Sequence, residues 1–543
     1  MNAITKGFTG IFAVVLAVFL SHAAMAQDLT NTGTWTNSGT LRVNNLTNSG
    51  AGAHFANSGA SSLLQVNAAL TTNAGGALPA NFDVTVGAVH YGGAAQSITD
   101  QVKSNTYNKL CGSGTGTKTL AGNIIVADSL TADGVTVSIG ANTLTLSGPV
   151  AGADVLKSLN AGSFTFTGGT VDYAGNAQNV FASTYGTLGV TASGAKSLQG
   201  TTGVNTDLTL SAGSLALNGK SLNLNSSTIT TTSGTLSGGT TSAITFAGTG
   251  STTLPSVSSG LDTLVVNRTG GATITLAATS NLTVNSQLTL TSGTFALGSD
   301  SLALFKGVSA TSGTISSGAA GAVNYAQTTD GQSVLASNYG SLYFSDHNKT
   351  LPAGTVGISG YFGAGAATGH TITGNTIAFN GAAQSIPSFN GATGYNNLTL
   401  SGDGVVKTAS GNITVAGTLQ NGQSTDSTVF NVALNSLTAP TRSQTSRSNV
   451  QFSGASNGLV FTTGWVEYNG SVTQTVALGT YANLLFSSTG QKSITGGTVA
   501  TSSGLNIGSS VPVNVSGTGT LSVAGDLTNS GTVTNAGTVT VGP

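Results

Sequence analysis

The chain has 543 residues, 78 of them glycine, with only 6% charged side chains and a formal net charge of −1. So weak a charge supplies no long-range attraction toward nucleic acid or an anionic membrane surface, and nucleic acid is not expected among the partners. Hydrophobic residues at 38% argue against a chain disordered throughout, which would have few Val, Leu and Ile and a high net charge.

The first 26 residues read as a signal peptide. Lys6 supplies a positive start, Ile11 to Leu20 is an apolar stretch too short to span a bilayer, and Ala24-Met25-Ala26 is a small-x-small cleavage site. Cleavage leaves Gln27 first and predicts an exported protein: extracellular, cell-surface or periplasmic. No later stretch approaches the ~20 apolar residues of a transmembrane helix.

Residues 27–88 open with Leu29-Thr30-Asn31-Thr32-Gly33-Thr34 and Leu46-Thr47-Asn48-Ser49-Gly50, and predict N-terminal coils. Residues 89–526 carry a long irregular repeat with four marks in fixed order. The first is a Val-x-Tyr strand: Val89 to Tyr91, Val171 to Tyr173, Val323 to Tyr325 and Val466 to Tyr468, with Ile244 to Phe246 and Ile377 to Phe379 as looser copies. A Gln often follows it: Gln96, Gln178, Gln332, Gln384 and Gln474. The second is Tyr-x-x-Leu, beginning at Tyr107, Tyr185, Tyr339, Tyr395 and Tyr481, with Leu261 to Leu264 in the odd unit. The third is a Lys with an apolar residue two later, at Lys118, Lys196, Lys349, Lys407 and Lys492. The fourth is a Val…Leu pair: Val126 to Leu130, Val204 to Leu208, Val284 to Leu288 and Val415 to Leu419. Residues 527–543 return to a shorter period, Leu527-Thr528-Asn529-Ser530-Gly531-Thr532 and then Val533-Thr534-Asn535-Ala536-Gly537-Thr538.

Between the marks lie Ser-Gly, Asn-Gly and Gly-Gly pairs, which are turn signals. The strands alternate, as in Leu144-Thr145-Leu146 and Leu208-Thr209-Leu210, and no capped helical period follows the leader. The aromatic mark recurs at spacings of 54 to 89 residues, too irregular for closed sandwich domains. A solenoid tolerates such variation because each coil touches only its neighbours. The expected fold is therefore all-β: an elongated parallel β-solenoid, or β-helix, of roughly 20–25 residues per coil. About 515 mature residues at ~4.8 Å per coil give a rod on the order of 100 Å. Inward Val, Ile, Leu and Phe build a continuous stripe; Asn side chains form ladders, and matched Tyr and Phe stack as columns. An end without a cap exposes strand edges and invites self-association.

These blocks, above all Tyr395 to Gly402 followed by Lys407 and Gly411 to Val415, resemble the Gly/Ser/Thr/Asn-rich β-solenoids of bacterial exported surface proteins, such as autotransporter passengers and filamentous-haemagglutinin-like adhesins. The resemblance spans nearly the whole mature chain and is specific for architecture. It implies a cell-surface or secreted location and an adhesive or structural role. The expected partners are surface glycans, envelope components or a second copy of the chain. No C-terminal barrel, sorting motif or secretion domain is read in the sequence, whose last residues are Val541-Gly542-Pro543, so the expected secretion route stays open.

Candidate chemistry is sparse, and no catalytic, cofactor-binding or metal residue is assigned. Glu467 is the only glutamate. Among the aspartates, Asp128, Asp133 and Asp154 form the densest group and read as turn and loop residues rather than a glycosidase pair. Arg268, Arg442 and Arg447 lie far from any acid in sequence, which disfavours a polysaccharide lyase. His54, His90, His347 and His370 have no metal-ligand spacing and read as surface or turn histidines. Gly-x-Gly runs such as Gly112 to Gly116 open no helix and carry no phosphate loop. Cys111, the single cysteine, reads as a small buried residue, with a reactive thiol or intermolecular bridge as the alternative. The recurring lysines read as edge residues that discourage lateral aggregation, with ligand binding second. Thr-x-Thr, as at Thr34 to Thr36, lacks a regular coil period, which weakens an ice-binding reading. The expected function is a non-catalytic structural or adhesive surface protein; the alternatives are a glycan-binding module and a β-helix lyase or hydrolase.

Overall fold

The computed structural model describes residues 27–49, 53–73, 81–148, 154–226, 228–422, 428–432, 435, 437–439, 441–444, 449–451, 459–460, 465–468 and 473–542. The leader sequence lies outside the described residues. The described residues form two compact units, divided between Ala272 and Thr273, and each is a parallel β-solenoid of about 21 residues per coil, within the range expected from the repeat. Among the described residues no helix is long and apolar enough to cross a membrane.

One coil in the first unit shows how the sequence builds the fold. Its three strands are Ser221–Asn225, Thr228–Thr231 and Thr235–Ser237. Each lies parallel to a stretch of the previous coil: Leu222 pairs with Thr202, Ile229 with Leu208 and Leu236 with Leu215. Alternation puts Leu222, Leu224, Ile229 and Leu236 inside and the intervening Thr, Ser and Asn outside. No coil closes a core alone, so the apolar residues stack between coils. Leu144, Val171, Leu188, Leu208 and Ile229 form one such column through register pairs, each no more than 9% exposed. Burying side chains of this size contributes roughly 1.5–3 kcal/mol apiece before entropy is counted.

The marks of the long repeat are stacked neighbours. Val89 lies beside Leu110, Val171 beside Leu188, Val323 beside Leu342, Ile377 beside Leu398 and Val466 beside Leu484. The fourth mark adds the next coil: Leu130 follows Leu110, Leu208 follows Leu188 and Leu419 follows Leu398. The expected ladders and columns are present too. Asn31 donates to Asn48 at 2.8 Å and Asn37 to Asn57 at 2.9 Å, one coil apart. Phe55 stacks on Phe82 at 4.8 Å and Phe166 on Tyr185 at 5.1 Å, whereas Tyr325 and Tyr339 meet edge to face.

Candidate functional site

The recurring polar residues converge on one corner of the coil. Where the strand ends after Val-x-Tyr, the chain bends, and the residue three after the Gln has both backbone polar groups turned inward. In one unit the Phe181 N–H donates to the Tyr173 hydroxyl at 3.0 Å, and the Tyr185 hydroxyl donates to the Phe181 carbonyl at 2.6 Å. The two hydroxyls are 3.0 Å apart. Since the single Tyr185 hydroxyl proton goes to the carbonyl, Tyr173 must donate to Tyr185. A closed loop of three hydrogen bonds thus joins the two ends of one peptide residue.

The same clasp holds Thr99 through Tyr91 and Tyr107, Leu335 through Tyr325 and Tyr339, and Ala477 through Tyr468 and Tyr481. Burial drives these phenols upward in pKa, to about 12 for Tyr91, Tyr173 and Tyr325. Their partners Tyr107, Tyr185 and Tyr339 lie well above the usual range for the same first reason, reinforced by the neighbouring phenol.

The Gln mark lies on the short strand that leads to the clasped residue, as Gln178 does in the strand Gln178–Val180 before Phe181, and the Lys mark lies on the strand paired with it. Gln96 donates to the Val66 and Ala68 carbonyls and accepts the Gly93 N–H. Gln332 and Gln384 repeat this pattern with their own coils. One coil later a lysine stands in register on each Gln: Lys118 on Gln96, Lys196 on Gln178, Lys349 on Gln332, Lys407 on Gln384 and Lys492 on Gln474.

These lysines are at most 1% exposed, which overturns their reading as edge residues. The stem runs inside the coil and the ammonium meets turn carbonyls. Lys118 Nζ donates to Gly93, Ala94 and Thr115, and Lys196 Nζ to Asn176, Ala192 and Ser193. Gly194, at φ +91, makes the second cradle possible, because a Cβ there would fall 2.1 Å from the Asn176 oxygen. Burial lowers the pKa of Lys118 and Lys196, and that of Lys349 to about 8. Arg268 is buried likewise, its guanidinium over the Phe246 ring and donating to the Thr249 carbonyl.

The remaining candidates do not gather. Asp128 pairs with Lys109 at 3.6 Å, Asp133 accepts from Asn160, and Asp154 accepts from Asn179. Asp128 and Asp133 lie on the strand Ile124–Asp133 rather than in a loop. His54 and His90 lie half-buried on strands, and His347, also half-buried, is 3.7 Å from Asp330.

His370 departs from the surface reading, being 5% exposed. It stacks on Phe389 at 5.0 Å and its Nδ1 accepts the Lys349 backbone N–H, so the ring is neutral. Burial, and then the Lys349 ammonium, lowers its pKa to about 4. Cys111 is half-exposed rather than buried; it follows inward Leu110 and so faces out, in register with His90. Burial against its neighbours still raises the thiol to about 11. The side chains of Arg442, Arg447 and Glu467 lie outside the described residues. Among the described residues, no three His, Cys, Asp or Glu gather as a metal site would require.

One surface feature escaped the sequence reading. Tyr343 and Tyr361 are 38% and 54% exposed, on adjacent coils, with ring centroids 5.6 Å apart. The alternation that sends Leu342 and Phe344 inward sends Tyr343 outward, and this was the available signal. No protein-family model matches the chain, and neither a curated protein nor a solved structure does so.

Proposed function

We propose that the chain is an exported structural or adhesive protein of the cell surface or extracellular space, acting through its outer faces and not through catalysis. The observation that carries this reading is the use made of the recurring polar residues. The paired tyrosines, the glutamines and the lysines hold the backbone of their own and the preceding coil, and the alternation of the strands leaves Thr, Ser and Asn on the outer faces. A scaffold of this kind presents a surface and leaves its ligand to that surface. The leader sequence supports export.

Fractionation of producing cells tests the location: the protein is expected to begin at Gln27 and to be labelled by antibody on intact cells. Recovery in the cytosol with Met1 intact would overturn it. Incubation with polysaccharides tests the role. Release of reducing ends or unsaturated sugars would replace the scaffold reading with that of a β-helix hydrolase or lyase.

A further inference from the structure

Nine of the eleven tyrosines are no more than 3% exposed, each tied into a corner of its coil. The two exceptions are neighbours. Tyr343 ends a row of outward residues, Ala303, Asn324 and Tyr343, that pair in register from coil to coil and continue to Gly363. Tyr361 stands beside Ser341: its backbone N–H donates to the Ser341 hydroxyl, and its ring is left outside.

Gly363 shapes the site. A Cβ there would fall 2.7 Å from Tyr343 Cδ1 and 3.3 Å from both Tyr343 Cε1 and Tyr361 Cε1. The missing side chain makes room for the Tyr343 ring over Gly363, with the Tyr361 ring tilted at 40° to it. The floor around the pair is Ser301, Ala303, Ala322, Asn324 and Ser341: half-exposed, small and uncharged.

We propose that Tyr343 and Tyr361 form a binding platform for a neutral polysaccharide, with sugar rings laid on the two phenols and hydroxyls meeting Asn324 and Ser341. The inference deepens the adhesive reading above and rests on it. Apolar C–H faces of a sugar suit the electron-rich face of a phenol, and the polar edge of the same sugar needs hydrogen-bonding neighbours without charge. A single-stranded nucleic acid stacks on aromatics too, but its platforms lie in positively charged grooves, and no Lys or Arg occupies either register row here. The floor follows two register rows from coil to coil, which suits an extended chain laid along the coils better than a small molecule, whose sites are concave.

The test is depletion of the full mature chain onto insoluble cellulose, chitin and β-1,3-glucan, followed by the same measurement on variants. Retention on at least one of the three is expected. The Tyr343→Ala/Tyr361→Ala variant should lower it about tenfold or more, with circular dichroism and thermal unfolding unchanged because both rings are exposed. The Tyr343→Phe/Tyr361→Phe variant, which keeps the rings, should stay within about threefold of the parent. Replacing Leu159, an exposed apolar residue of the other unit, by Ala should change nothing. Retention of the double Ala variant at the parent's level would overturn this site and leave the adhesive reading standing. Failure of the parent on all three polysaccharides, or its retention on a single-stranded oligonucleotide instead, would overturn the ligand class. Antibody labelling of intact cells decides the adhesive reading separately.

Discussion

Phe379 and Pro387 are matched absences. In four units the residue three after the Gln gives an N–H to the first tyrosine of the clasp. At Pro387 there is no N–H to give, and the position of that tyrosine is taken by Phe379, which has no hydroxyl to receive it. The second half survives: Tyr395 donates to the Pro387 carbonyl at 2.6 Å and its ring meets Phe379 edge to face. The two substitutions remove a donor and its acceptor together, so neither is left buried and unpaired.

Breaking one side alone should therefore be costly. Tyr173→Phe strands the buried Phe181 N–H and is expected to destabilise the first unit by about 1–3 kcal/mol, read from urea unfolding. Pro387→Ala creates a new unmatched N–H, and Phe379→Tyr in the same chain should recover stability. A double-mutant cycle with a coupling near zero would count against the clasp.

The buried phenols set an alkaline limit. Their folded pKa lies above the free value of 10.0, so above that pH the folded state holds more protons than the unfolded one. Their contribution is complete below pH 10 and is lost as pH rises through about 12. The rise from 10.0 to about 12 corresponds to roughly 2–3 kcal/mol for each of Tyr91, Tyr173 and Tyr325. Thermal unfolding between pH 9 and 12 checks this.

Lys349 acts with the opposite sign. Its folded pKa of about 8 lies below the ordinary lysine value of 10.5, so between these values the unfolded chain binds the extra proton and stability rises with pH. The Lys349→Met variant should lose this rise. It also removes the hydrogen bond that Lys349 gives to the Ser345 hydroxyl, whereas the Gln327 carbonyl keeps that hydroxyl as its donor.

His370 gives an acid limit. Its depressed pKa means that the neutral ring is folded in, so its contribution is intact above 6.5 and is lost as pH falls toward 4. Lys349 and Asp330 are the charged groups that bear on it. Protection of the Lys349 amide, whose proton His370 accepts, should fall over this range when each rate is divided by the intrinsic exchange rate at the same pH; unchanged protection would exclude the titration.

Cys111 is accessible but slow. A disulfide reagent should modify it at pH 8 far more slowly than a free thiol, with the rate climbing toward pH 11. Rapid modification at pH 7 would favour the reactive-thiol alternative.

The marks were legible because parallel stacking repeats the same environment. Val171, Leu188 and Leu208 occupy one column, so a spacing in sequence reads as a rung in space. The lysines were misread although the pattern was there. Lys118 and Leu120 are two apart on the strand Lys118–Leu120 and face the same way; the rarity of buried ammonium groups outweighed that parity. The clasp was legible as two tyrosines but not as a pair. Which hydroxyl meets which depends on bends such as that between Tyr185 and Thr187, where the register shifts and alternation no longer tells direction. The Tyr343–Tyr361 platform needed Gly363, whose role depends on a neighbour one coil away.

The carbonyl cradles also bear on digestion. A trypsin-like protease must draw a basic side chain into its own pocket. Six of the fifteen lysines and arginines, Lys118, Lys196, Arg268, Lys349, Lys407 and Lys492, are already held inside their coils. Cutting at those positions must wait until a coil opens, so the residues that most often mark a chain for destruction here delay it.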